Sequence, residues 1–111
     1  MISLKPGVRL LGLSPQMVFA HTVVAALWWE WGLGDLVVTS GAEGNHTNAP
    51  RPSGHYAGNA LDYRTNDLPA TETVIQDKLR EALGPDFLVL GENGGTPEEH
   101  LHVEYLPRRV T

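Results

Sequence analysis

The chain has no cysteine. That excludes a disulfide framework, a cysteine-type structural zinc site and a thiol nucleophile. It leaves the compartment open, because a cysteine-free fold tolerates reducing and oxidising surroundings alike. A basic stripe is missing too. Eight Lys and Arg stand against 13 Asp and Glu, for a formal charge of −5. A phosphate backbone therefore finds no complementary surface, and nucleic acid is not an expected partner. Nor is there a long hydrophobic run. The apolar stretch from Met17 to Trp29 is interrupted by His21 and stops at Glu30, too short and too polar to span a bilayer. The opening residues, from Met1 to Gly7, show no charged leader followed by an apolar run, so no signal peptide is expected. Repeats, low-complexity tracts and linkers are also lacking. A length of 111 residues fits one domain over 1–111, large enough to bury a core without disulfides.

What is present reads as alternating helices and strands. Ser14-Pro15 is a helix start, with serine as cap and proline in the first turn. The helix is expected to run to about Trp31 and to stop at Gly32. Nearly every position in it is apolar, with Val18, Phe19, Ala25, Ala26 and Trp29 supporting an apolar face, so it reads as the buried spine of the domain. Helical spacing also assigns Trp28, Trp29 and Trp31 to core packing. His21, inside this helix, reads as a structural histidine. A strand is expected over Leu36–Ser40 from its β-branched content. A long polar loop follows from Gly41 to Gly54, and loops of that length in a compact domain are often functional. A second strand covers Ala60 to Arg64, with Ala60, Asp62 and Arg64 on one face. Thr71 caps a second helix to Leu83, striped by Ile75, Leu79 and Leu83 and ended by Gly84-Pro85. Phe87–Leu90 is a third strand, Glu92–Pro97 a turn-rich loop, and His100–Tyr105 the last strand. In that strand His100, His102 and Glu104 share one face and Leu101, Val103 and Tyr105 the other. The order implies an α+β fold with a small, mostly antiparallel sheet and two helices.

Two short stretches carry chemistry. Ser53 to Asp62 holds a histidine at 55 and an aspartate at 62. Glu99-His-Leu-His102 holds two histidines one residue apart, preceded by a carboxylate. Two imidazoles and a carboxylate are the protein donors of a catalytic zinc site that keeps a fourth position open. Any one histidine alone is better explained as a surface group. Three of the chain's five histidines fall within these two stretches, which favours a shared role. Glu99 lies three residues before His102, so on a continuous strand the two face opposite ways. It reaches a metal site only if it lies in the turn before the strand; otherwise it is an ordinary solvated glutamate beside Glu98. His46 has two readings, lining a substrate cleft or making local hydrogen bonds in its loop.

The pattern Ser-x-His-x-x-Gly-x-Ala-x-Asp is met by Ser53 to Asp62 at every fixed position, and Glu-x-x-His and His-x-His are both met by Glu99 to His102. In these residues the chain resembles the LAS-type zinc peptidases, which include D-alanyl-D-alanine carboxypeptidases, L-alanyl-D-glutamate endolysins of phages and the metal-binding domain of hedgehog proteins. The resemblance extends from about Leu36 to Tyr105. It implies a fold of that type and zinc (Zn2+) held by His55, Asp62 and His102. It implies Glu99 as the carboxylate that activates water and His100 as an assistant near the bound substrate, able to stabilise an oxyanion. Arg64 follows the aspartate as in phage-type members and is expected to order its strand. The Ser-Gly-Tyr-Arg stretch of many carboxypeptidases is absent; Thr39 to Gly44 stands in its place, and Arg51 is the candidate substitute for the substrate-binding arginine. With His46 and Ser53 it makes up the expected substrate contacts.

The function implied is zinc-dependent hydrolysis of a peptide bond in peptidoglycan stem peptides, by a small phage-like enzyme. Such a protein is made in the cytoplasm and reaches the wall after phage-type release or as a virion component. The alternative is a zinc-binding module that docks on the cell wall, or serves a virion, without cutting.

Overall fold

A computed structural model describes residues 1–42, 58–68 and 72–107. Among these residues five strands form one sheet: β1 (Ile2–Leu4), β2 (Leu36–Ser40), β3 (Ala60–Arg64), β4 (Phe87–Glu92) and β5 (His100–Tyr105). Helix α1 (Pro15–Glu30) falls between β1 and β2, and α2 (Glu72–Leu83) between β3 and β4. The strand order is β1-β2-β3-β5-β4. Only the β1–β2 pair is parallel; the other three are antiparallel. The architecture is therefore α+β with a mostly antiparallel sheet, as the order of elements implied. Among the described residues no helix is long and apolar enough to cross a membrane.

Both helices pack on one face of the sheet. Met17, Ala20, Val24 and Trp28 of α1 and Ile75, Leu79 and Leu83 of α2 share a single core with Leu36, Val38, Leu61, Tyr63, Val89, Leu101 and Val103. Alternation along β3 and β5 sends Leu61, Tyr63, Leu101 and Val103 into that core. Their neighbours in sequence, including Asp62, His100 and His102, are thereby sent to the opposite face.

Two expectations need correction, and one strand was not anticipated. Helix α1 is not a spine buried on all sides. Val18 and Phe19 are exposed and Trp29 is 88% exposed, while Trp28 is 2% exposed. An apolar residue at nearly every position gives the sequence no way to mark the buried stripe. Packing selects the row spaced 3, 4 and 4 residues from Met17 to Trp28. Of the three tryptophans Trp28 is buried in the core and Trp31 packs against its edge, closing the helix under Lys78, 5.6 Å from its ring centroid, while Trp29 points away. Ile2–Leu4 forms the edge strand β1, held to β2 by the register Ile2↔Leu36 to Leu4↔Val38. Three residues carry too little alternation to announce a strand. Strand β4 does not end at Leu90 but continues through Gly91 to Glu92. The glycine marks no turn here: it leaves the space that the Glu72 carboxylate occupies, and a Cβ would make that side chain move.

The capping of α1 is as expected: the Ser14 hydroxyl accepts from the Met17 N–H at 3.2 Å. Thr71, expected to cap α2, lies outside the described residues. His21 is structural, hydrogen-bonded through Nδ1 to the Tyr63 hydroxyl at 2.9 Å and stacked on its ring. Burial holds the His21 pKa below its ordinary value. Burial, followed by the nearby Asp62 charge, pushes the Tyr63 hydroxyl upward, so it stays protonated.

Candidate metal centre

Backbone register assembles this site. On β3 and β5, Asp62 stands opposite His102 and Arg64 opposite His100. On the other side of β5, Leu90 stands opposite His102 and Glu92 opposite His100. Residues paired across a ladder point to the same face. The face opposite the two described helices therefore carries Asp62, His100, His102, Glu104 and Glu92 side by side.

His102 is held at both ring nitrogens. Nδ1 lies 2.8 Å from Asp62 Oδ1 and Nε2 lies 2.8 Å from Glu104 Oε1. Burial of the ring favours its neutral form, but the hydrogen bonds to Asp62 and Glu104, with their charges, override this and raise the pKa to about 9. The Asp62 and His102 side chains are only 15% and 14% exposed. An outer carboxylate such as Glu104 on Nε2 would fix the ring were a metal to replace the proton that Nδ1 shares with Asp62.

His100 is oriented differently. Its Nδ1 lies 2.9 Å from the Glu98 carbonyl oxygen. A carbonyl only accepts, so Nδ1 carries the proton. In the neutral ring Nε2 is then a lone pair, and it faces Asp62 Oδ2 at 3.7 Å and Glu92 Oε1 at 3.5 Å. A proton on Nε2 or a metal ion can join the ring to these two carboxylates. The same orientation means that His100 offers an Nε2–H to an oxyanion only as imidazolium.

The donor chemistry fits a divalent metal. One ligand atom each from Asp62, Glu92 and His102 can be chosen so that all lie within 4.8 Å of one another. Mixed carboxylate and imidazole donors suit zinc and neighbouring first-row ions. His55, the third ligand implied by the motif, lies outside the described residues, as do His46, Arg51 and Ser53. Beside the cluster is a cleft of about 450 Å³ lined by Asp62, His100, Lys5, Arg64, Ser40 and Glu99, among others.

Glu99 lies just before β5, in line with the requirement that it sit ahead of the strand. Its Oε1 accepts from the Gly95 N–H at 3.2 Å. Its carboxylate also meets Glu72, whose pKa is raised by burial first and then by the charge and hydrogen bond of Glu99. The Thr65 hydroxyl donates to Glu72 Oε2 at 3.3 Å. Glu99 thus contributes to the cleft wall while its carboxylate is engaged by Gly95 and Glu72.

The motif glycine Gly58 has a packing role. Its φ is +75°, and a Cβ there would overlap the Gly12 carbonyl oxygen. The Ser14 N–H donates to the Gly58 carbonyl at 2.9 Å, tying the approach to α1 onto the approach to β3. Gly58→Ala is expected to cost at least about 2 kcal/mol, from a left-handed backbone and a clash with main chain that has no rotamer to escape into. Urea unfolding checks this, and a loss below about 0.5 kcal/mol, the range of neutral surface changes, would remove the packing explanation.

Three participants were not expected. Glu92 was hidden by ending β4 at Leu90, although Leu88, Leu90 and Glu92 follow the period-2 signal. Glu104 was visible on the histidine face but had no assigned role. Lys5 enters the cleft because β1 exists. The chain matches no protein-family model, no curated protein and no solved structure. The likeness to zinc peptidases accordingly rests on the residues of the two motifs.

Proposed function

We propose that this chain is a zinc-dependent peptidase acting on peptidoglycan stem peptides. One observation carries the reading. Asp62 of the first motif and His102 of the second, 40 residues apart, are paired at 2.8 Å on one face of the sheet. Asp62 and His102 would hold the zinc, with His55 as the donor implied by the motif. When bound, the metal supplies Lewis acidity toward the scissile carbonyl and toward water. Glu104 fixes the ring of His102. Lys5 and Arg64 bring positive charge to the cleft, matching the carboxylates that stem peptides carry. Glu99 takes the proton of the attacking water and returns it to the leaving nitrogen, turning from Glu72 to do so.

A second reading, a zinc-holding module that docks on the wall without cutting, is favoured by the engagement of the Glu99 carboxylate with Gly95 and Glu72. Zinc-loaded protein incubated with purified muropeptides, read by mass spectrometry, separates the two. An enzyme releases a fragment whose mass names the bond, chelator stops release and added zinc restores it. Full zinc occupancy with wall binding but no fragment from any muropeptide type would leave the docking reading standing.

A further inference from the structure

We propose that Glu92 is a metal ligand, so that the centre draws one donor from each of three neighbouring strands: Asp62 from β3, His102 from β5 and Glu92 from β4. This rests on the metal centre proposed above, but not on hydrolysis.

The argument begins with placement. Glu92 pairs with His100 in the β4–β5 ladder, one cross-strand row from His102. Its Oε1 lies 3.5 Å from His100 Nε2 and 4.0 Å from His102 Nδ1. These distances are long for hydrogen bonds but suit groups arranged around a common ion. Glu92 also completes the group of three donors that lie within 4.8 Å of one another.

Donor type points the same way. Asp62, Glu92 and Glu104 surround two imidazoles on a face where Asp62 and Glu104 are largely shielded, at 15% and 20% side-chain exposure. Carboxylate oxygens and imidazole nitrogens gathered in this way are the donors that divalent first-row ions take. Glu92 is the most exposed of these groups, at 44%. It can therefore swing onto an ion without breaking the core. Its strand position also matters. Donors placed by a continuous backbone ladder are held closer to their working geometry than donors on loops. A second carboxylate makes the donor set harder, suited to zinc and also to cobalt or manganese.

Zinc affinity, measured by chelator competition, and the visible spectrum of the cobalt-substituted protein test the assignment. Neither readout needs substrate. Glu92→Gln keeps shape and removes charge. It is expected to weaken zinc binding by at least about tenfold, the lower end of what even outer-shell changes cost, and to alter the cobalt d–d bands. Glu98→Gln, which removes a neighbouring carboxylate outside the cluster, should change neither. Circular dichroism checks that the fold is kept. Should Asp62→Asn and His102→Ala lose the metal while Glu92→Gln retains wild-type affinity and spectrum, Glu92 is only a surface partner of His100. Absence of zinc binding in the wild type would overturn the ligand assignment and the centre together. Weakened zinc binding in Glu92→Gln alongside an inactive wild type would support the ligand assignment and defeat the peptidase reading.

Discussion

His102→Ala is expected to abolish tight zinc binding and to destabilise the metal-free protein as well. Two effects combine. The centre has few protein donors, so losing one removes a direct metal bond, a larger loss than the roughly 10–100-fold that outer-shell changes cost. The same substitution also deprives Asp62 and Glu104 of the imidazole that each contacts at 2.8 Å. These carboxylates are mostly shielded from water, and removing one partner of a buried charged pair costs on the order of 3 kcal/mol. Metal analysis after dialysis, together with urea unfolding of the metal-free proteins, reads both effects. Equal zinc content in variant and wild type would remove His102 from the ligand set.

Glu99→Ala is expected to separate binding from turnover. Zinc affinity should remain, because Glu99 makes no described contact with Asp62, His100 or His102. Its contacts are with Gly95 and Glu72. Hydrolysis of muropeptides should fall by roughly two to four orders of magnitude, the usual cost of losing a general base. Removing the Glu99 charge should also bring the Glu72 pKa back toward its ordinary value, since that charge is one of the causes raising it. A protein in which Glu98→Ala is inactive while Glu99→Ala turns over normally would mean that the proton is taken by the other glutamate.

The parts of this fold legible in the sequence are those where period and chemistry coincide. In His100–Tyr105, polar and apolar residues alternate strictly, so one reading gives the strand, its buried face and the direction of both histidines. Asp62 is legible for the same reason, flanked by Leu61 and Tyr63, which go to the core. The α1 stripe was not legible, because burial there is decided by which side the sheet occupies. Strand β1 depends on pairing with β2, a contact across more than thirty residues that no local pattern encodes. Glu92 was obscured by Gly91, which reads as a break but here makes room for Glu72. Where a residue's role comes from a partner distant in sequence, composition and spacing carry little of it. The pairing of Glu99 with Glu72, a residue 27 positions away on another element, is of that kind.

A sheet ends in two rows of backbone groups that can recruit a foreign strand. At the β4 edge the Val89 carbonyl already accepts from Arg80 Nε at 3.0 Å and Gln76 Nε2 at 3.3 Å. An incoming strand would have to displace a guanidinium to use that acceptor. At the other edge β1 offers three residues, too short a template for stable extension. The sheet is thus guarded against end-to-end polymerisation, by a cation on one side and by brevity on the other. Concentrated solutions are expected to resist fibril growth, and neutralising Arg80 should weaken that resistance.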